Sequence, residues 1–409
     1  MKQTLLSSLF IAISTSLYAQ VGIGVTEPKA YLNVLEGKTV LFGADTVGVQ
    51  GDGERLSPKM IWYASNGAFR AGGISNDASS YNYWDRANVG DYSFASGLNT
   101  KASGFASTAI GINTTASANY STAMGFYTIA SGGRSTAMGH YTIAQGLRST
   151  AMGDFTNASG ISSTAMGRGT AASGDNSTAM GYLTTASGAL STAMGAGTTA
   201  SGDNSTAMGT RNTAAYDGSF IIGDVNEYDY NTTADNQLMM HFQGGYLFYT
   251  GNGPQDATFG VELQPYANAW SVVSDSTRKE NFRATDGALF LKKISGMRLG
   301  SWNYKGQNVK QYRHYGPMAQ DFFAAFGRDE LGLIGEEKSI NQADFDGVNL
   351  IAIQALIKEV EALKAENANL KQANASTKTE TESLKVKMQQ FEKQLSVFMT
   401  SGTTSTISK

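Results

Sequence analysis

The sequence predicts a mainly β protein: a solenoid of short repeats, then an α+β domain and a C-terminal coiled coil. Three observations carry this prediction. The pentapeptide Ser-Thr-Ala-Met-Gly recurs with a step of fourteen residues through the middle of the chain. Charged residues become frequent and helix signals appear at about residue 274. A heptad pattern of apolar residues then extends almost to the C-terminus.

The repeat array defines the centre of the chain. Identical pentapeptides begin at Ser121, Ser135, Ser149, Ser163, Ser177, Ser191 and Ser205, and softer copies begin at Ser93, Ser107 and Ser219. Each unit reads S-T-A-M-G-x-x-T-x-A-S-G-x-x, two alternating segments that each end in glycine. This pattern predicts two strands and two turns per coil. Ten coils at a strand spacing of about 4.8 Å would extend about 45–50 Å.

Alternation along the first segment separates two faces of the predicted strand. Thr122 and Met124 lie on one face, and Ser121, Ala123 and Gly125 lie on the other. Because the second face carries almost only Ala, Ser and Gly, we expect it to pack against another copy of the chain.

The array carries few charges, and they are of mixed sign. Its nine charged residues are Lys101, Arg134, Arg148, Asp154, Arg168, Asp175, Asp203, Arg211 and Asp217. The whole chain has a net charge of −3. This balance gives no basic stripe, so no nucleic-acid partner is expected.

These repeats resemble the heads of YadA-like trimeric adhesins, which are written S-x-A-x-G at the same period. The resemblance covers about residues 90–223. It implies a left-handed β-roll and a homotrimer.

The N-terminus has the pattern of a secretory signal peptide. Lys2 supplies the positive charge, Leu5–Ser16 an apolar segment, and Leu17-Tyr18-Ala19 a cleavage site before Gln20. The apolar run is too short to span a bilayer, and no later segment reads as a membrane helix. We therefore expect export to the cell surface or the extracellular space. The chain has no cysteine, which excludes disulfides and thiol chemistry, and no cofactor is expected.

Residues 20–90 and 224–273 flank the array as β-rich segments. The first contains the aromatic residues Trp62, Tyr63, Phe69, Tyr81, Tyr83 and Trp84. These form either a sugar-stacking platform or, as we favour, the small core that seals the end of a solenoid. In the second, Gln237–Tyr249 alternates as a strand would. The three histidines, His140, His241 and His314, lack the close spacing of a metal site.

Two helices are predicted after residue 274. Asp286 is a candidate N-cap for a helix over 287–296, and the apolar run Met318–Phe326 precedes Gly327. Three sequence boxes occur here in order: Ser274–Phe282 (S-D-x-x-x-K-E-N-aromatic), Gly316–Gln320 (G-x-x-A-Q), and Asp346–Gln354 (D-G-V-x-L-x-A-I-Q). Together they closely resemble the endosialidase-type intramolecular chaperone, the autoproteolytic C-terminal domain of phage tailspikes and related fibres. The resemblance covers residues 271–370.

This second resemblance implies self-cleavage by a serine–lysine dyad. Ser274 would be the nucleophile, Lys279 the general base, and Val273–Ser274 the bond that is cut. A serine hydroxyl needs an adjacent base, and an amine serves as a base at neutral pH only where burial or a nearby positive charge favours its neutral form. Since a separation of five residues does not align two side chains on a strand or a helix, the segment must turn. Burial between the chains of a trimer would desolvate the amine.

A coiled coil is predicted from about Leu350. The a positions are Ile353, Val360, Asn367, Asn374, Thr381, Met388 and Leu395, and the d positions are Leu356, Leu363, Leu370, Thr377, Leu384, Phe391 and Phe398. Ile or Val at a with Leu at d favours a dimer, whereas the array and both resemblances favour a trimer. The centre, from Asn374 to Thr381, is polar and should be weak.

The predicted domain order follows from these segments. It is signal peptide 1–19, cap 20–90, repeats 91–223, connector 224–273, chaperone 274–349, coiled coil 350–399 and polar tail 400–409. The predicted function is that of an exported trimeric fibre or adhesin-like protein that assembles with itself and binds a glycan or a surface protein. Its only expected catalysis is one act of serine autopeptidase activity per chain.

Two alternatives remain from the sequence. A glycan-binding or glycan-degrading tailspike-like protein would, as a hydrolase, need paired carboxylates, and the array has four aspartates and no glutamate. A phage-derived tail fibre is disfavoured by the signal peptide, because virion parts assemble in the cytoplasm.

Overall fold

In the computed structural model each fourteen-residue repeat forms one coil with a long strand and a short strand. The long strand Thr122–Phe126 pairs in parallel with Thr136–His140 of the next coil, and Met124 lies opposite Met138. The short strand Ile129–Ala130 pairs in the same way with Ile143–Ala144. The predicted coil of two strands and two turns is therefore confirmed.

The structure describes residues 21–23, 25–26, 32–35, 37–43, 58–75, 82–224, 228–250, 260–272, 274 and 276–401. The predicted signal peptide, Tyr81 and residues 402–409 of the predicted polar tail lie outside these ranges.

Two sheets run along the solenoid. Within the described residues the long-strand sheet has fourteen strands, in spatial order Val40–Gly43, Lys59–Tyr63, Ala68–Gly73, Phe94–Leu98, Thr108–Ile112, Thr122–Phe126, Thr136–His140, Thr150–Asp154, Thr164–Arg168, Thr178–Tyr182, Thr192–Ala196, Thr206–Thr210, Phe220–Gly223 and Leu238–His241. The short-strand sheet has ten, Lys101–Ala102, Thr115–Ala116, Ile129–Ala130, Ile143–Ala144, Asn157–Ala158, Ala171–Ala172, Thr185–Ala186, Thr199–Ala200, Asn212–Ala214 and Tyr230–Asn231. A separate parallel pair joins Val21–Ile23 to Leu32–Val34.

The interior of the solenoid is built from small side chains. In the coil that starts at Ser121, the side chains of Ser121, Ala123, Thr128 and Ala130 are fully buried within the single chain. The expectation that this small-residue face packs against another copy is therefore wrong. The turns fold the short strand over the long one, and only Ala, Ser and Thr fit the narrow space between them. The outward face of the long-strand sheet carries Thr122, Met124 and their equivalents in the other coils, and we call it the Thr/Met face.

Both turns of a coil use left-handed backbone. Tyr120 (φ +61°) and Tyr127 (φ +52°) occupy the two positions, and their equivalents repeat this conformation in the neighbouring coils. The glycine at the fourth position of the long strand in these coils is also required by space. A Cβ on Gly167 (φ +119°) would lie 2.1 Å from the carbonyl oxygen of Gly181 in the next coil. The glycines of the repeat are therefore set by the contact between coils.

Side chains from the preceding segment close the first coil. Trp84 is buried with Ile61 and Ile74, and its Nε1 donates to the carbonyl oxygen of Thr100 over 2.8 Å. Arg70 is fully buried and donates to the carbonyl oxygen of Ala102, also over 2.8 Å. Thr100 precedes the edge strand Lys101–Ala102 of the short-strand sheet, and the carbonyl oxygen of Ala102 also accepts the backbone N–H of Gly90 over 3.0 Å. The arrangement supports a cap.

Burial of Arg70 has an electrostatic consequence. Desolvation lowers the pKa of its guanidinium from its ordinary value to about 10. Hydrogen bonds to the carbonyl oxygen and the hydroxyl of Ser93 compensate for part of the lost hydration. In the long-strand sheet Arg70 lies opposite Ala95, at a position that alanine occupies in the coils of the array.

The chain divides into two units. One comprises Met1–Tyr246 with Gln264–Ala267, and the other comprises Leu247–Leu263 with Asn268–Lys409. The predicted strand over Gln237–Tyr249 is two strands, Leu238–His241 and Tyr246–Tyr249, because a turn at Phe242–Gly245 interrupts it. Tyr246–Tyr249 forms a three-stranded sheet with Gly260–Leu263 and Ser271–Val272.

Besides this sheet, the described residues of the second unit form three α-helices and a strand pair. Helix α1 spans Gly287–Ser295 with Asp286 as its N-cap, and α2 spans Ala319–Phe326 and is followed by Gly327, as predicted. Leu299–Trp302 and His314–Pro317 form an antiparallel pair. Helix α3 spans Gln342–Ser401, so it begins eight residues before the predicted Leu350 and is about 90 Å long at 1.5 Å per residue. None of the helices in the described ranges combines the length and apolar character needed to cross a membrane.

Candidate functional site

The structure brings Ser274 and Lys279 together. The Lys279 Nζ donates a hydrogen bond to Ser274 Oγ over 2.6 Å. A 3₁₀ turn over Ser276–Arg278 separates the two residues, and the backbone N–H of Lys279 closes it on the carbonyl oxygen of Ser276. The turn therefore supplies the reversal that a separation of five residues needs. Both side chains are exposed in the single chain.

The backbone on either side of this turn is held by separate elements. Before it, Ser271–Val272 pairs with Val261 and Glu262 in an antiparallel sheet. After it, Asn281 adopts a left-handed conformation (φ +57°) that redirects the chain. Val273, which carries the carbonyl of the predicted cut, lies outside the described residues, as does Asp275.

Helix α1 follows the Ser276–Arg278 turn in the sequence. It is held in place by its N-cap and by ring contacts. The Asp286 carboxylate accepts the backbone N–H groups of Ala288 and Leu289. The ring of Phe290 packs on Phe326 of α2 with centroids 5.0 Å apart. Gly287 approaches α3 so closely that a Cβ there would lie 2.7 Å from the Cβ of Ala355. The three helices thus share one small core.

An ion pair strengthens the same core. Arg298 forms a two-point contact with Asp321 of α2, with both N–O distances at 3.0 Å. This contact raises the pKa of the Arg298 guanidinium, chiefly through its hydrogen bond to the carboxylate. Because the pair is solvent-exposed, it orients α2 more than it stabilises the fold.

The three histidines are placed far apart in sequence and in different surroundings. His140 Nδ1 lies 2.6 Å from the Asp154 carboxylate, His241 Nδ1 lies 3.3 Å from Asp224, and His314 stacks on Trp302. Over the described part of the chain, no three His, Cys, Asp or Glu side chains come close enough to hold a metal ion.

Two surfaces are apolar and open in the single chain. On α3 the a and d positions Ile353, Leu356, Val360 and Leu363 are between 45% and 62% exposed. On the solenoid the Thr/Met face is only partly buried, and it carries threonine and methionine through seven successive coils. Large exposed apolar surfaces of this kind mark contacts with other chains.

Sequence reasoning gave no role to the aspartates of the array. The carboxylates of Asp175, Asp203 and Asp217 each accept a backbone N–H from the preceding coil, over 2.8–2.9 Å. These aspartates are spaced by fourteen or twenty-eight residues, and this spacing could have indicated from the sequence that they bond to neighbouring coils. These carboxylates hold neighbouring coils together. The sequence analysis also gave no role to Arg70 or to the stacked rings of the second turn.

Comparison with known families agrees with both resemblances. Residues 102–128, 130–156, 158–184 and 186–212 match the model described as YadA head domain repeat. Residues 274–329 match the model described as Chaperone of endosialidase. No curated protein matches the chain. Parts of the array are therefore similar to YadA head repeats, and residues 274–329 are similar to the chaperone of endosialidase.

Proposed function

We propose that this chain is an exported, trimeric, adhesin-like fibre whose C-terminal domain assembles the trimer and then cuts itself away. The chaperone domain covers residues 274–349 and the coiled coil residues 350–399. The single observation that carries the cleavage is the 2.6 Å contact between Lys279 Nζ and Ser274 Oγ. The head repeats support the adhesin role and a location on the cell surface or outside the cell.

The assembly role follows from the order in which contacts can form. Long β surfaces between chains form slowly and expose unpaired apolar faces while they do so. The open a and d positions of α3 bring chains together first and raise their local concentration. The Thr/Met faces of the solenoids then meet in register, because each coil presents the same two side chains at the same height. The contact between copies is then made by the Thr/Met face and not by the small-residue face.

The chemistry at Ser274 is an acyl shift followed by hydrolysis. Lys279, as the neutral amine, takes the proton of the Ser274 hydroxyl, and Oγ attacks the carbonyl carbon of Val273. The C–N bond to Ser274 breaks, its nitrogen gains a proton from the Lys279 ammonium, and an ester joins Val273 to Oγ. Water then cleaves the ester, leaving a carboxylate at Val273 and a free amino group at Ser274.

Association of chains would supply the desolvation of Lys279 that the single chain lacks. In the single chain the Lys279 side chain is exposed and its Nζ donates to Ser274 Oγ. Burial between chains disfavours the charged form and so makes the amine available as a base. Cleavage after assembly would leave the fibre trapped by a high barrier to unfolding. The array is then a binding surface and not a hydrolase, since three of its four aspartates accept backbone N–H groups of the preceding coil and Asp154 pairs with His140 and Arg168.

A denaturing gel with N-terminal sequencing tests this function. The expressed full-length protein should give a fragment that begins at Ser274, and Ser274→Ala and Lys279→Met should each abolish it. Ser276→Ala is the matched control, because this serine lies in the same turn and its hydroxyl has no role in the reaction. Wild-type protein that stays uncut after it has assembled would reject the dyad.

A further inference from the structure

Large side chains line one corner of the solenoid, at the second turn of successive coils. We call this set the aromatic corner: Phe126, Tyr127, His140, Tyr141, Asp154, Phe155 and Arg168. Tyr127 stacks on Tyr141 with centroids 4.9 Å apart and planes 1° apart, and Tyr141 stacks on Phe155 at 5.0 Å and 2°. Between 39% and 55% of each of these three residues is exposed.

A line of polar groups runs beside these rings. Asp154 accepts from His140 Nδ1 through Oδ1 at 2.6 Å and lies 3.4 Å from Arg168 Nε through Oδ2. His140 also stacks on Phe126 with centroids 5.4 Å apart. Arg168 extends the line to the ring of Tyr182, 5.8 Å away. Rings, donors and an acceptor therefore alternate on one exposed ridge.

The backbone of this turn does not call for aromatic residues. Tyr127, Tyr141 and Phe155 have φ of +52°, +50° and +54°, a region that bulky side chains rarely adopt. Two later coils place glycine here, Gly169 and Gly197, each at φ +65°. Leu183 and Arg211 hold the same left-handed conformation in other coils, so the turn sets the backbone and leaves the side chain open. Aromatic rings in three successive coils are therefore a feature of the surface and not of the fold.

We propose that the aromatic corner binds an uncharged carbohydrate chain that lies along the solenoid. Tyrosine rings offer an apolar surface with a polar tip, which suits the apolar faces and hydroxyls of a sugar. His140, Asp154 and Arg168 offer donors and acceptors to hydroxyl groups. Their charges offset one another, so neither a polyanion nor a polycation is favoured.

The shape and period of the ridge argue for this ligand over a protein. The ridge is two side chains wide, whereas a stable protein partner buries about 800 Å² on each side. The stacked rings of Tyr127, Tyr141 and Phe155 recur at the coil spacing of about 4.8 Å, so they offer successive stacking surfaces to a polymer of identical units. The proposal rests on the adhesin-like role of the array, and it names the ligand class of that role.

Titration calorimetry of the full chain with soluble cello-, xylo-, malto- and N-acetylchitohexaose tests the proposal. We expect wild-type protein to bind at least one of these sugars. Tyr141→Gly combined with Phe155→Gly should weaken that binding by roughly tenfold or more, since two ring contacts are lost. Glycine suits the left-handed backbone at both positions, so these variants should fold.

The matched control combines Tyr120→Gly and Leu190→Gly, two exposed left-handed residues of the opposite turn. It should bind the sugar as wild-type protein does. Absence of binding by all four sugars, equal weakening in the control, or an altered number of chains in the corner variant would each overturn the proposal. Chain number and the fragment that begins at Ser274 are read on the same samples, so failure of the assembly account and failure of sugar binding are distinguishable.

Discussion

Lys279 Nζ lies 2.6 Å from Ser274 Oγ across a single 3₁₀ turn. Because the contact is local, it forms within one chain and does not wait for other copies. The geometry of the dyad is therefore separate from its activation. In the proposed reaction, association of chains would add the desolvation that releases the amine as a base.

Cleavage should depend on the coiled coil. Val360→Asp places a carboxylate at an a position of α3, where an assembled coil would bury it without a partner. We expect weaker association and slower cleavage in proportion, measured by sedimentation and by the fragment that begins at Ser274. Ala365→Asp, at an outward position of the same helix, should leave both unchanged. A monomeric Val360→Asp protein that cuts itself at the wild-type rate would show that one chain suffices.

The interior of the solenoid should reject larger side chains. Ala165 is fully buried between Ala151 and Ala179 of the neighbouring coils. Ala165→Leu should destabilise the fold by at least about 1–3 kcal/mol through overpacking, whereas Met166→Leu on the Thr/Met face should cost less than about 1.5 kcal/mol. Thermal unfolding followed by circular dichroism compares the two. An intact fold with dissociated chains in Ala165→Leu would restore the small-residue face as the contact between copies.

The cap should lose stability when its indole donor is removed. Trp84→Phe keeps the ring and leaves the buried carbonyl of Thr100 without the Nε1 partner, at a cost of about 1–3 kcal/mol. We expect faster hydrogen exchange in the first coils of the array, measured by mass spectrometry. Trp62→Phe is the control, because 43% of that residue is exposed. Equal hydrogen exchange in both variants would contradict the interpretation of this segment as a cap.

Replacing the glycine at the fourth position of a long strand should strongly destabilise the solenoid. Gly167→Ala would place a Cβ 2.1 Å from the carbonyl oxygen of Gly181, in addition to the strained φ of +119°. We expect severe loss of thermal stability. In Gly133→Ala the new Cβ meets only the end of the Leu147 side chain, at 3.1 Å, so the loss should be small. Similar unfolding temperatures for the two variants would contradict the tight spacing of coils at this position.

Periodic features of the fold could be predicted from the sequence. The fourteen-residue step fixed two strands and two turns per coil, because register follows directly from exact repetition. Asp286 and Gly327 marked the limits of α1 and α2 through ordinary capping chemistry. The dyad was proposed from a resemblance, and the structure places its two side chains in contact.

Other features depend on how distant or opposed surfaces meet. Alternation separated the two faces of Thr122–Phe126 but did not say which one the short strand covers, and this led to the wrong contact face. Alternation also ran through Gly244–Gly245, where the chain turns. The buried Arg70 could not be found from sequence, since its partners Ser93 and Ala102 lie up to 32 residues away.

Native mass spectrometry of the full-length Ser274→Ala protein tests the central claim most directly. This variant keeps the chaperone domain attached, so the assembled state is observed before any cut. The account predicts a mass of three chains. A mass of one chain, or of the two chains that the a and d residues of α3 locally favour, would contradict it.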